Sequence, residues 1–381
     1  MKSSSRIILD KAATENNWNF LRSYFDGIKI SAVVKGNAYG HGIPVYVPLA
    51  QNCGVNHFSV FNAHEAYVVQ QFSKPGTTIL IMGDMEEEDL AWAIENGIEF
   101  YLFDFERMQK VIELAARLKK QANIHIEVET GMYRTGFDAD DISALIEILK
   151  QNRGALYLKG LCTHFAGAES RANFERIEQQ KSVFKSVLSM FEKEGMKPEM
   201  VHTCCSAAAI RLPDMHYDML RIGIMQYGFW PNAETFSEFM QGNGLEKSPL
   251  RRIINWESHV MSVKEVPANS YVGYGSSYYT HYRLKLAIVP VGYGYGFTRA
   301  FSNVGVVLIN NIRAGVVGTV NMNCIAVDIT HIDNVKTDDP VVLIGRQGAH
   351  EITVASFGEI SNQMNYELLT RLPLDIPRVC R

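Results

Sequence analysis

The sequence predicts a TIM (β/α)8 barrel followed by a mainly β C-terminal domain, and two observations lead to this prediction. In the first two-thirds of the chain, short apolar runs alternate eight times with segments of helical length, within about 225 residues, which is the rhythm of such a barrel. From about residue 240, helical periodicity nearly disappears and β-branched runs separated by turns replace it. We therefore assign residues 1–240 to the barrel and residues 241–381 to a β-rich domain.

The eight predicted barrel strands are nearly continuous apolar runs, as expected for parallel strands buried on both faces. They are Ile28–Val34, His57–Phe61, Thr78–Met82, Ile98–Phe103, Asn123–Val128, Leu156–Thr163, Met200–Thr203 and Met219–Ile222. The clearest helical segments between them are Glu86–Asn96, Glu106–Gln121, Asp140–Gln151 and Phe174–Glu194. A doubly wound open sheet is the alternative, but no GxGxxG motif follows the first strand.

The second part of the chain predicts six strand-like runs and one helix. The runs are Trp256–Lys264, Lys285–Val291, Val304–Ile309, Ile312–Val317, Cys324–Thr330 and Pro340–Ile344. Asn310 and Asn311 suit a tight turn between two of them, and Val354–Ser361 is the predicted helix. A hinge is expected near residues 241–249.

Composition excludes several classes of protein. The 381 residues carry a net charge of −4, which argues against nucleic acid or an anionic membrane surface as the main partner. No apolar run is long enough to cross a membrane, and the N-terminus does not resemble a signal peptide. The six cysteines include no CxxC pair and no zinc spacing, so we expect reduced thiols, no metal site and a cytoplasmic protein.

Five residues whose side chains could take part in catalysis or binding lie in or after predicted barrel strands, on the face where barrel enzymes carry their active sites. They are Lys35, Arg134, His164, Ser206 and Arg221. Taken singly, each has a structural explanation: the lysine suits an exposed loop, the histidine a satisfied core position and Arg221 an ion pair. Their position on one rim of the predicted barrel favours an active site.

The segment around Lys35, AVVKGNAYGHG, resembles the pyridoxal-phosphate (PLP) lysine motif of the alanine racemase family, which usually has alanine in place of Gly36. The resemblance extends over nearly the whole chain. It implies that Lys35 forms the Schiff base to PLP and that Tyr39 binds the phosphate. It further implies that Arg221 contacts the pyridine nitrogen, and that Ser206 with the backbone amides of Gly223 and Ile224 holds the phosphate. An arginine that stays protonated would leave the pyridine nitrogen neutral.

The same resemblance implies a second base on the opposite face of the cofactor, which racemisation requires. The segment YVGYGSSYYT places this base at Tyr274, contributed by the β-rich domain of a partner subunit. His164 and Arg221 would support the tyrosine, so the resemblance implies a homodimer with shared active sites.

Four further residues belong to the predicted substrate-binding site. Tyr293, in VPVGYGYGFTRAFSN, matches a gate tyrosine, and Met322, in VNMNCIAVD, matches the residue whose amide meets the substrate carboxylate. Arg134 matches the side chain that binds the same carboxylate. Glu127 stands where the family often has a carbamylated lysine, and we hypothesise that it holds Arg134 directly; a solvent-facing strand carboxylate is the alternative.

Besides Glu127, three positions depart informatively from the family pattern. Asn323 replaces an aspartate, Thr319 replaces an arginine on the path of the substrate, and Leu374 replaces a tyrosine near phosphate and substrate. These changes remove charge and one hydroxyl, so they put strict specificity for alanine in doubt and would suit a somewhat larger substrate.

The resemblance implies an amino-acid racemase that interconverts L- and D-alanine by a Lys/Tyr two-base mechanism and supplies D-alanine for peptidoglycan. A serine or broader-specificity racemase and, less well, a PLP-dependent decarboxylase remain alternatives. A cysteine–acidic motif of the decarboxylases is not evident in the C-terminal half. A non-catalytic PLP-carrier barrel would lack the β-rich domain, and a sugar-phosphate barrel enzyme would not explain Lys35 together with Arg221.

Overall fold

The computed structural model describes residues 3–361 and 365–381, which form two compact units. The barrel unit consists of Ala13–Ala38 and Val47–Arg251. The β-rich unit consists of the N-terminal segment up to Ala12, Tyr39–Tyr46 and Arg252–Arg381.

The barrel unit contains eight parallel strands, which confirms the predicted fold class. They are Lys29–Val33, His57–Val60, Thr78–Ile81, Glu99–Leu102, Ala122–Glu127, Leu156–Cys162, Met200–His202 and Met219–Ile222. Each strand pairs with the next in sequence up to the seventh, and the eighth pairs with the first. The seventh and eighth meet through a single bridge between Cys205 and Arg221 and through the Arg221 amide, which donates to the Cys204 carbonyl at 2.9 Å.

Helices connect the strands, and several begin at a capping side chain. Their bounds are Lys11–Tyr24, Ile43–Asn52, Ala63–Phe72, Glu87–Asn96, Phe105–Leu118, Ile142–Gln151, Phe174–Lys193, Ser206–Arg211 and Ala233–Gly242. The Asp104 carboxylate accepts from the Arg107 amide at 2.7 Å, which satisfies one free N–H at the start of its helix. None of the helices among the described residues combines the length and apolar character needed to cross a membrane.

The β-rich unit is built mainly from one large sheet, and Ser270–Tyr271 and Tyr279–Thr280 form a separate two-stranded sheet. The strands of the unit are Arg6–Leu9, Ile254–His259, Ser262–Val266, Ser270–Tyr271, Tyr279–Thr280, Leu284–Val289, Val306–Ile309, Ile312–Val317, Ile325–Asp328, Pro340–Gln347, His350–Ile352 and Arg378–Cys380. Two helices, Val354–Ser361 and Asn365–Thr370, follow the eleventh of these strands. The predicted run Trp256–Lys264 is in fact two strands, because the chain breaks its pairing at Val260 and Met261.

The first strand of the chain requires a correction. The sequence assigned all of residues 1–240 to the barrel, but Arg6–Leu9 pairs antiparallel with Ile254–His259 and parallel with Arg378–Cys380. Both partners lie more than two hundred residues away in sequence. A local pattern of apolar residues carries no information about such distant pairing, so the sequence could not locate this strand.

Candidate active site

Lys35 follows the first barrel strand and begins a short turn with left-handed backbone. The φ angles of the next three residues are 62° at Gly36, 52° at Asn37 and 54° at Ala38, and Tyr39 has φ 51°. Left-handed backbone costs roughly 1–2 kcal/mol for each non-glycine residue. Such strain persists only where surrounding structure holds it, and it concentrates at functional sites. The sequence indicated bending at the glycines and did not indicate that Asn37, Ala38 and Tyr39 share it.

The environment of Lys35 favours the neutral form of its amine. Burial of the amine lowers the lysine pKa, and the cations Arg134 and Arg221 lower it further, whereas Glu65 opposes the shift. Lys35 as a whole residue is nevertheless exposed. Lys35 is therefore an accessible amine with a lowered pKa, as expected for a nucleophile at a barrel mouth.

Arg221 occupies the eighth barrel strand, and only 4% of it is exposed. Its Nη1 donates to His202 Nδ1 at 2.6 Å and to the His202 carbonyl at 3.0 Å. Its Nη2 donates to the carbonyls of Thr163 at 2.9 Å and Thr203 at 3.1 Å. Among the residues that the structure describes, nothing accepts a hydrogen bond from Nε–H. A buried cation with one unused donor suits an acceptor atom of a bound group.

The residues expected at the phosphate also lie together. Ser206 opens the helix after the seventh strand, and its Oγ accepts a hydrogen bond from the Gly223 amide at 2.9 Å. Ile224 begins a 3-10 turn that ends at Tyr227, so its amide is one of the free N–H groups at a helical start. A hydroxyl beside a backbone donor at a helical start fits a phosphate.

Arg134 lies on the loop after the fifth barrel strand, next to Glu127 at the end of that strand. The Arg134 Nη2 atom is 3.8 Å from Glu127 Oε1, and Glu127 Oε2 accepts from Thr135 Oγ1 at 2.7 Å. Only 3% of Glu127 is exposed. The alternative of a solvent-facing carboxylate is therefore wrong, and its role as a support for Arg134 stays a prediction.

His164 lies beside Arg221, with its Nδ1 3.5 Å from Nη2, which is longer than an ordinary hydrogen bond. Burial lowers the His164 pKa to about 3, with Arg221, Arg134 and Lys35 adding to the effect. The imidazole is thus neutral near pH 7. A neutral imidazole donates one hydrogen bond and accepts another, and it adds no charge to the site.

Two residues that sequence reasoning missed shape this region. The Glu129 carboxylate accepts from the backbone amides of Gly131, Met132 and Arg134, so it folds the loop that carries Arg134. Gln180 is fully buried and donates to the His164 carbonyl at 3.0 Å, which fixes the backbone at that histidine. A polar residue on the apolar face of a predicted helix was the signal for Gln180, and Glu129 gave none.

The remaining candidates lie in the β-rich unit. Tyr274 is 75% exposed, and its carbonyl accepts from Thr319 Oγ1 at 3.0 Å. Met322 is also exposed, and its carbonyl accepts from the Gly294 amide, beside Tyr293, at 2.9 Å. The structure therefore places Thr319 next to Tyr274, and Met322 next to the segment that carries Tyr293. Asn323 and Leu374 are also exposed, and for Leu374 the exposed fraction is 76%.

A barrel carrying an accessible lysine, a buried arginine with a free donor and a hydroxyl–amide cradle fits PLP, and a β-rich unit accompanies it. These features define a PLP-dependent enzyme of the barrel type. Residues 9–231 match the family model described as alanine racemase, N-terminal domain, and residues 253–380 match the model of its C-terminal domain. The chain belongs to the alanine racemase family.

Individual relatives agree with this assignment. The chain is 32% identical over 378 residues to an alanine racemase of Leptospira interrogans, covering 99% of this chain and 95% of the relative. It is similar in structure to an alanine racemase of Clostridium difficile 630, with a TM-score of 0.90, 28% identity and coverage of 100% and 96%. The alanine racemase from Bartonella henselae, solved with covalently bound pyridoxal phosphate, gives a TM-score of 0.84 at 25% identity, with 100% of both chains covered. The family is PLP-dependent, so the predicted cofactor and the predicted class of enzyme are confirmed.

Proposed function

We propose that this chain interconverts L- and D-alanine and uses Lys35 as one of two bases. The observation that carries the proposal is the accessible Lys35 amine with its lowered pKa, at the mouth of a barrel in which Arg221 keeps one donor free. The alanine racemase relatives support the choice of substrate. We further propose that the reaction occurs in the cytoplasm and supplies D-alanine for peptidoglycan.

Five residues of the barrel unit would hold PLP, together with Tyr39 on the turn after Lys35. Arg221 would donate from Nε to the pyridine nitrogen, and Ser206 with the amides of Gly223 and Ile224 would bind the phosphate. When bound, PLP acidifies the α-proton of an amino acid by accepting its electron pair. Because Arg221 remains protonated, it donates a hydrogen bond without transferring a proton, which moderates that withdrawal of electrons.

The chain's own residues then perform three tasks. Arg134 binds the substrate carboxylate, and Glu127, itself held by Thr135, keeps Arg134 in place. The Lys35 amine, whose pKa is lowered by burial, accepts the α-proton on one face. Tyr274 of the partner subunit serves the other face, with His164 as its hydrogen-bonding neighbour, while Met322 and Tyr293 border the substrate.

The reaction is tested with purified protein supplied with PLP and a panel of amino acids. Formation of D-alanine from L-alanine, with a yellow absorbance that Lys35→Met abolishes, supports the proposal. Release of CO2 and an amine would identify a decarboxylase instead. Equal or faster racemisation of serine would identify the broader-specificity alternative, for which Thr319, Asn323 and Leu374 are the residues to exchange.

The shared site is tested with hybrid dimers. Lys35→Met and Tyr274→Phe chains, each inactive alone, are mixed and allowed to exchange subunits. Each hybrid dimer then contains one site with both native bases, so random mixing should restore about one quarter of the wild-type activity. No recovery in a mixture shown to contain hybrids would mean that both bases come from a single chain.

A further inference from the structure

A chain of polar side chains crosses the interior of the barrel beneath Arg221, and the proposed reaction does not use it. Starting at Arg221, the contacts run from Nη1 to His202 Nδ1 at 2.6 Å and from His202 Nε2 to His125 Nδ1 at 2.8 Å. They continue from His125 Nε2 to Glu99 Oε2 at 3.0 Å. Both histidines are 0% exposed and Glu99 is 4% exposed.

The two ends of this chain fix the direction in which every hydrogen bond is donated. A guanidinium has only donors and a carboxylate only acceptors, whereas a neutral imidazole has one of each. Arg221 must therefore donate to His202 Nδ1, which leaves the His202 proton on Nε2. That proton is donated to His125 Nδ1, and the remaining proton of His125, on Nε2, is donated to Glu99. A second proton on either ring would set two N–H groups against each other.

We propose that Glu99 is the counter-ion of Arg221, joined to it through His202 and His125, and that this chain of hydrogen bonds positions the Arg221 guanidinium. No carboxylate of the described residues lies within 4.0 Å of the Arg221 nitrogens. The other acceptors that Arg221 reaches are neutral carbonyls and the neutral His164. The buried Glu127 carboxylate acts on Arg221 electrostatically, without a hydrogen bond to it. Because a buried cation that is not paired with a carboxylate is costly, the carboxylate at the far end of this chain of hydrogen bonds has a reason to be there.

Glu99 has other neighbours, which define the controls. Lys159 Nζ is 4.0 Å from Glu99 Oε1, but the same amine bonds both carboxylate oxygens of the more exposed Glu199, at 2.8 and 2.9 Å. Lys29 acts on Glu99 at longer range. His57 Nε2 is 3.5 Å from Glu99 Oε2, and its Nδ1 is bonded to Ser31 Oγ at 2.8 Å, away from Arg221. His57 thus contacts Glu99 without lying between Glu99 and Arg221.

The first test reads the chain of hydrogen bonds directly and requires no variant. Histidine-selective 15N NMR of the PLP-free protein should show His125 and His202 as neutral rings with the proton on Nε2. A scalar coupling should be visible between His202 Nε2 and His125 Nδ1 across their hydrogen bond. A proton on Nδ1 of either ring, or a doubly protonated ring near pH 7, would overturn the proposal.

The second test measures whether Glu99 and Arg221 are energetically coupled. In a double-mutant cycle on the PLP-free protein, Glu99→Gln and Arg221→Gln together should destabilise less than the sum of the single changes, by at least about ten-fold in the unfolding equilibrium constant. Glu199→Gln, a nearby carboxylate outside the chain, should be additive with Arg221→Gln. Additivity for Glu99 as well would refute the pairing. If Glu99→Gln does not fold, Glu99→Asp replaces it in the same cycle.

The positioning role rests on the proposed function, because it concerns the side of Arg221 that would face PLP. Glu99→Gln and His125→Gln should shift the visible absorbance of the holoenzyme and lower kcat while KM stays within about two-fold. His57→Asn should leave the absorbance unchanged. Equal shifts in all three variants would mean that these residues only fill the barrel interior. If the wild type racemises nothing, the proposed function fails. The NMR and the double-mutant cycle still decide whether the chain of hydrogen bonds between Arg221 and Glu99 exists.

Discussion

Acidification should unfold this protein at a pH where most proteins of its size remain folded. Burial, the largest cause in each case, lowers the pKa of four histidines of the barrel unit, namely His57, His125, His164 and His202. Below pH 6.5, the ordinary pKa of histidine in an unfolded chain, the unfolded chain binds protons that the folded chain does not bind. The unfolding free energy therefore falls as the pH drops through 6.5, and it does not fall above it.

The size of the effect follows from the same shifts. At about pH 5, each histidine that stays neutral in the fold costs about 2 kcal/mol relative to high pH. His164, with a pKa of about 3, and His202, with a pKa well below its ordinary value, together account for about 4 kcal/mol. His57 and His125 act in the same direction, and about 4 kcal/mol is already a large part of the whole stability of an ordinary domain.

Urea unfolding of the PLP-free protein at fixed concentration, between about pH 5 and pH 7.5, measures this dependence, because few carboxylates titrate in that range. The slope should correspond to an uptake of two to four protons on unfolding. His202→Asn should reduce the slope by about one proton, and His350→Gln, on the surface, controls for the loss of a histidine. An unfolding free energy that does not change with pH over this range would refute the reasoning.

Three further changes have distinct expected outcomes. Glu127→Gln, which weakens the support of Arg134, should raise KM for alanine about ten-fold with kcat within about two-fold in steady-state kinetics; equal losses in both constants would contradict this. Gly40→Ala, whose Cβ would overlap the Leu369 carbonyl, should lower the unfolding free energy by about 2 kcal/mol more than Gly76→Ala, where φ is nearly the same and the space is open. Arg378→Lys should cost about 2 kcal/mol in urea unfolding, because an ammonium cannot replace a guanidinium that donates to five backbone carbonyls; an unchanged midpoint would refute this.

The barrel could be predicted strand by strand because its strands are buried on both faces. Met219–Ile222 has the bounds that the sequence indicated, and the other seven strands differ by one or two residues at their ends. Such strands are set by local apolar content, which a sequence displays directly. The rim residues could be located for the same reason, since four of them follow a strand whose end was placed within one residue, and Arg221 lies within the eighth strand.

The polar interior of the barrel could not be predicted in this way. Glu99, His125 and His202 stand within runs that are mostly apolar, and one or two ionisable residues in such a run do not break the pattern. An ionisable side chain recurring in several predicted buried strands was the available signal. Whether those side chains contact one another depends on the register of neighbouring strands and on the closure of the barrel, which a local sequence pattern does not show.

The position of Arg6–Leu9 also constrains how the protein is made. Its two neighbours in the sheet are formed by Ile254–His259 and by Arg378–Cys380, so one of its edges has no partner until synthesis is nearly finished. The strands of the barrel are complete by Ile222 and can close while the ribosome is still translating. Loss of the last four residues would therefore make Arg6–Leu9 the edge strand of the sheet, with unpaired backbone groups that are a template for aggregation.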